Sequence, residues 1–187
     1  MFCTVNSFSQ KTYKDSIRTY INNYVQEHEV VKGNDKKYFQ FFPIDESYRV
    51  TAKIEIINDN KWFQMETSGP IKKTFRTYGI ITFHIHDTLL KLHVYQSQNL
   101  LQSEQYKDYL FIPFTDLTTG NSTYEAGRYI DIKSEEIKGD QVIIDFNKAY
   151  NPYCAYVKNV YNCPIPPTEN DLSVAILAGE KEYGKKY

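Results

Sequence analysis

A mainly β fold, an antiparallel barrel or strongly bent sandwich of about eight strands with one N-terminal helix, is what this sequence predicts. Three observations predict it. The 187 residues include 17 Tyr and 11 Phe, side chains that favour pleated, half-buried surfaces. A 3.6-residue apolar period occurs once, near the N-terminus, and gives way to alternation of apolar and polar residues. The breaks between the alternating runs have hairpin length.

Residues 1–10, MFCTVNSFSQ, are mildly apolar and lack a basic start, so they read as a tail or as the remnant of a signal peptide. A remnant implies export to the periplasm or beyond; a plain tail implies the cytoplasm. Residues 11–187 form one β-rich domain, without repeat or linker. Over residues 11–31, Ile17, Tyr20, Ile21, Tyr24 and Val25 share one helical stripe, and Gly33-Asn34-Asp35 stops it. The run YFQFFP at 38–43 is an apolar connector against a sheet edge. Val50, Ala52, Ile54 and Ile56 then alternate with polar residues as a strand; Asn58-Asp59-Asn60 turns the chain, and 61–67 returns. Extended segments follow at 71–78 and 79–86, with a tight turn at Asp87-Thr88 into 89–97. Strands at 109–115, 128–133 and 141–146 come next, and LSVAILA at 172–178 is the last.

Charge and apolar runs exclude some classes. With 22 Lys+Arg against 23 Asp+Glu there is no basic field for nucleic acid. No stretch approaches the ~20 apolar residues of a spanning helix. Cys154 and Cys163 lie in a Pro-rich segment, where an exported protein would bridge them and a cytosolic one would keep them as buried thiols. Neither resembles part of a CxxC site.

Two segments are long, polar and stiff for connections in a β domain: 114–130, FTDLTTGNSTYEAGRYI, and 145–170, DFNKAYNPYCAYVKNVYNCPIPPTEN. In the first, Asp116, Thr118, Thr119, Thr123, Tyr124 and Arg128 crowd together, with Gly120 and Gly127 permitting tight turns. Arg128 could fork onto a carboxylate or phosphate, or simply pair with Asp116 or Asp145 while the threonines staple the loop. In the second, Asp145 and Asn147 alternate with Ile144 and Phe146, and Pro152 keeps Asn151 extended. Glu169 follows the prolines as an acid, a base or a capping group.

The runs R-x-Y-G (Arg76 to Gly79), PF-x-D-x-T-x-G-x-x-T-Y-x-x-G-R-Y (Pro113 to Tyr129), DFN-x-AYNPYCAY (Asp145 to Tyr156), CP-x-PP-x-EN (Cys163 to Asn170) and AGEK-x-Y (Ala178 to Tyr183) resemble the bacterial family called domain of unknown function 1684. The resemblance implies a shared fold and a shared polar constellation, without an established activity. Thr115 departs from the basic residue that similar proteins often carry before Asp116.

Standard catalytic sets are missing: no G-x-S-x-G, P-loop, GxGxxG or HExxH occurs. His84, His86 and His93 would share one face of a hairpin, but Lys91 among them repels a cation, so no metal and no cofactor is expected. The expected site is a polar, Tyr-lined pocket for a small polar or anionic ligand. Arg128 and Arg76 would hold the negative group, with Asn147, Asn151 and Thr123 orienting it and Tyr124, Tyr129 and Tyr150 as walls; Asp116, Asp145 and Glu169 complete the set. The alternatives are a hydrolase or lyase using those carboxylates, and a structural domain in which the charges satisfy one another.

Overall fold

The computed structural model describes residues 5–57 and 61–185, with side chains from Thr12 onward; the expected turn at 58–60 and residues 1–4 lie outside them. Seven antiparallel strands form one sheet that curls into a half-barrel: β1 (Arg49–Ile56), β2 (Phe63–Met65), β3 (Lys73–Ile85), β4 (Thr88–Ser97), β5 (Tyr109–Phe114), β6 (Arg128–Lys133) and β7 (Gln141–Asp145). Their order is β6-β5-β4-β3-β1-β7, with β2 paired to the start of β3. The main helix, α1, spans Val5–Glu27.

Alternation places the core. Ala52 and Ile54 of β1 are buried while Thr51, Lys53 and Glu55 are exposed, and β3 to β7 contribute Ile81, Phe83, Leu92, Leu110, Ile112, Ile130 and Ile144 to the same cluster. Residues 71–78 and 79–86, expected as two segments, belong to one thirteen-residue strand. Its register against β4 shifts between Thr77 and Gly79, a bulge that reverses the side to which odd-numbered residues point. Ile81, Phe83 and Ile85 therefore face the main core. Phe75 faces the other side of the sheet, where it packs with Tyr95 and Phe111.

Three expectations are corrected. The helix ends at Glu27 rather than Val31, because the His28 ring accepts hydrogen bonds from the Val30 and Val31 amides through Nδ1 and turns the chain. The hairpin turn falls at His86-Asp87, so His84 pairs with Leu89 and His93 with Ile80. That parts His93 from His84 by four ladder positions, roughly 13 Å. Residues 172–178 are not a strand. Leu172, Ile176 and Ala178 instead plug the open side of the half-barrel as an irregular segment.

On the opposite side of the sheet, α1 docks through Tyr13, whose hydroxyl donates to both carboxylate oxygens of Asp145 (3.0 and 3.1 Å), and through buried Ile17. Val31, Tyr156 and Tyr183 form a second apolar cluster with Phe39.

Candidate functional site

The first motif loop converges on Arg128. At the even-numbered, inward positions of β6 this residue precedes Ile130 and Ile132, and its side chain is fully buried. Nη2 donates to Asp116 Oδ2 at 2.8 Å and to the Ile176 carbonyl at 3.0 Å, while Nη1 donates to the carbonyls of Ala178 and Glu180. The irregular segment that plugs the barrel thus has a guanidinium where a strand would have a neighbouring ladder. Asp116 Oδ1 accepts from the Thr118 amide and hydroxyl, and Thr118 in turn meets the Thr123 hydroxyl at 3.0 Å. Glycine is required twice: a Cβ on Gly127 (φ +84°) would sit 2.5 Å from the Phe114 carbonyl, and one on Gly179 (φ +77°) 2.6 Å from that of Phe146.

The second motif loop builds two further nodes. Asp145 caps the turn Phe146–Lys148 through the Asn147 amide, and Asn147 grips both the amide and the carbonyl of Asp45. The Asn151 amide donates to Glu180 Oε2 at 2.9 Å. The hydroxyls of Tyr24 and Tyr156 also donate to the Glu180 carboxylate, which is fully buried. Burial pushes its pKa up to about 7 against the pull of those hydrogen bonds.

A cavity of about 720 Å³ opens between α1, the far face of β3 to β6 and the 150–164 loop. Its walls carry seven tyrosines: Tyr20 and Tyr24 of α1, Tyr109 of β5, Tyr129 of β6, and Tyr150, Tyr153 and Tyr161 of the loop. Phe75 and Phe111 close its floor, and the Cys154–Cys163 disulfide ties the loop that forms one wall. Asp131, alternating with Ile130 and Ile132, points into this space rather than to the core. It keeps accessible surface, because it faces a cavity rather than packed side chains. Burial pushes its pKa up to about 6, opposed by the Tyr150 hydroxyl, which donates to Oδ2 at 2.6 Å. His28 also lines the cavity, and burial, with the Lys32 and Lys36 charges, pushes it down to about 4, so the ring is neutral near pH 7.

The residues expected to form one site are distributed over several places. Tyr150 lines the cavity, as does Tyr129, whose hydroxyl donates to the Pro164 carbonyl. Arg128 and Asp116 face each other in the core; Asp145, Asn147 and Asn151 hold backbone at the end of β7, at Asp45 and at Lys181. Thr123 and Tyr124 border a broader, more polar groove of about 1430 Å³ over the 120–125 and 154–162 loops. Arg76 donates to the Gln96 side-chain oxygen and lies over the Trp62 ring at 5.1 Å, and Glu169 accepts from the Tyr95 hydroxyl at 3.1 Å. Among the described residues no group of three His, Cys, Asp or Glu could hold a metal ion.

Sequence reasoning missed Asp131, Tyr20, Tyr24 and Tyr109 as cavity residues. A signal existed for two kinds of them. Asp131 lies between two inward isoleucines, so it had to face the other side of the sheet, and Tyr20 and Tyr24 are four apart on one helical face.

Comparison with known proteins adds fold and family. An uncharacterised protein of Haloarcula marismortui, solved by solution NMR, is 26% identical, with a TM-score of 0.69 over 96% of this chain and 97% of that one. No curated protein matches the chain. The family described as protein of unknown function (DUF1684) matches residues 37–181, which include Arg128, Asp131 and the whole 145–170 loop, and the chain belongs to that family.

Proposed function

We propose that the protein is a binding module that takes a small, ring-bearing polar molecule into the tyrosine-walled cavity. The observation that carries this reading is the cavity itself: about 720 Å³, walled by aromatic residues, with the Asp131 carboxylate of β6 in its lining. Tyrosines supply both apolar ring faces and hydroxyls, the mixture that holds a flat polar ligand. Arg128 already engages one carboxylate and three carbonyls, so the proposal keeps the polar, tyrosine-walled part of the expectation and gives Arg128 and Asp116 to the framework.

A carboxylate-based catalyst is the second reading, and the observation favouring it is the short bond between Tyr150 and Asp131 inside the cavity. Asp116, Asp145 and Glu169 are all engaged in holding the fold, so acid–base chemistry in this protein would fall to Asp131.

Fragment screening by thermal shift tests the binding reading. Ser97 is a small residue in the β4 wall, and Ser97→Trp fills the space without removing an existing contact. Ring-bearing polar fragments should raise the melting temperature of the wild type and leave Ser97→Trp unmoved. Equal shifts in both proteins would place binding elsewhere and sink the reading.

A further inference from the structure

We infer that the ligand's charged end is a cation, an ammonium carried on or beside a ring, with Asp131 as its counter-ion. The inference rests on the binding reading above and adds the sign of the charge.

Three features of the cavity point to it. The Asp131 carboxylate accepts one hydrogen bond, from Tyr150 to Oδ2, and among the described residues it has no ion pair. The basic residue nearest in sequence on the same face of β6, Lys133, is drawn instead to Glu135 (3.9 Å) and over the Tyr109 ring (5.5 Å). Lys73 at the start of β3, the basic residue in the described lining of the cavity, makes no ion pair with Asp131. A carboxylate in an aromatic-walled cavity with no ion-pair partner among the described residues gains from a ligand that brings a cation.

The ring geometry agrees. Tyr129 stands perpendicular to Tyr150 (89°, centroids 5.8 Å apart) and at 74° to Phe111 (4.7 Å), while Tyr24 lies tilted across Tyr150. Aromatic walls favour an ammonium through their negative π-faces, and Tyr24, Tyr129 and Tyr150 share the cavity lining with Asp131. Glu27, the last residue of α1, and Glu29 just beyond it add negative potential at the same cavity. An anion would meet Asp131, those two glutamates and the ring faces, with Lys73 as its one charge partner in the lining.

Three probes that share a ring and differ in charge decide the matter: benzylamine, benzyl alcohol and benzoate, titrated by calorimetry into the full chain at about pH 8, above the pKa of Asp131. Benzylammonium should bind about tenfold more tightly than benzyl alcohol, and benzoate least of all. Asp131→Asn should remove the advantage of the ammonium while leaving benzyl alcohol within about twofold. If benzyl alcohol binds as well as benzylammonium, or benzoate binds best, the charge inference falls and the binding reading stands. If none of the three binds at millimolar concentration, both fall. The wild-type ranking needs no variant, so it decides even if Asp131→Asn fails to fold.

Discussion

Arg128→Met would leave Asp116 charged in a dry interior and three carbonyls without a donor, since the guanidinium supplies all four bonds. Removing one member of a buried pair costs about 3–5 kcal/mol, so urea unfolding should show a loss of that order or no folded protein. Adding Asp116→Asn to it should recover part of the loss, because the stranded charge goes with it. A single-variant loss below about 1 kcal/mol would show that the node does not hold the barrel plug. Arg128→Lys should not substitute, because an ammonium cannot fork onto acceptors spread over Ile176, Ala178 and Glu180.

The same scale sets a pH dependence with opposing parts. Glu180 rises from 4.5 to about 7 in the folded state, so the unfolded chain releases its proton first and stability falls as pH rises between those values. Asp131, raised to about 6, acts in the same sense. His28 is lowered from 6.5 to about 4, so the unfolded chain binds its proton first and stability falls as pH drops through that window. The slopes oppose between about pH 4.5 and 6.5. Glu180→Gln should therefore remove the net fall in stability between about pH 4.5 and 6, where Asp131 and His28 are left opposing one another, measured as denaturation midpoints across pH. An unchanged profile would mean that Glu180 titrates normally.

At the scale of elements, the alternating strands were legible because each needs only a near neighbour to define its two faces. The bulge at Tyr78 was not, since it arises from the pairing of β3 with β4 and leaves no gap in the local pattern. LSVAILA read as a strand for the same reason: its apolar content is right, but its carbonyls turn to Arg128 rather than to a ladder. The 150–164 loop is held from within by the disulfide, a ten-residue closure worth about 2–3 kcal/mol by chain entropy. Cys154→Ser with Cys163→Ser should lower stability by about that amount. It should also weaken ligand binding several-fold, since Tyr153, Tyr161 and Pro164 belong to the cavity wall. Full affinity in the double variant would show that the wall does not depend on its staple.

Across the whole molecule, one face of the sheet buries the barrel core and the other carries the cavity under α1. The core face is sealed by the 172–178 plug, whereas the cavity face is covered by a loop and by α1, which is held by buried Ile17 and by polar contacts such as Tyr13 to Asp145 and Tyr24 to Glu180. Elements held by few apolar contacts open most readily. Hydrogen exchange should therefore be slowest in β3 to β5 and faster in α1. A saturating cavity ligand should slow exchange in residues 20–28 and 150–164 and leave the pairing of β1 with β7 unchanged. Protection centred on the 120–125 groove instead would relocate the site.

The class of the fold, the leading helix, most of the strands and the two polar loops that depart from both periods were legible in the residues alone. Those are properties of neighbours a few residues apart. What the polar residues face was settled by packing: Arg128 meets carbonyls about fifty residues away, Asn147 holds residue 45, and Asp131 lines an aromatic-walled cavity. The physical reason is range. Periodicity tells each side chain which face it occupies, but its partners are chosen only when the sheet curls, the plug closes and α1 lies down across it.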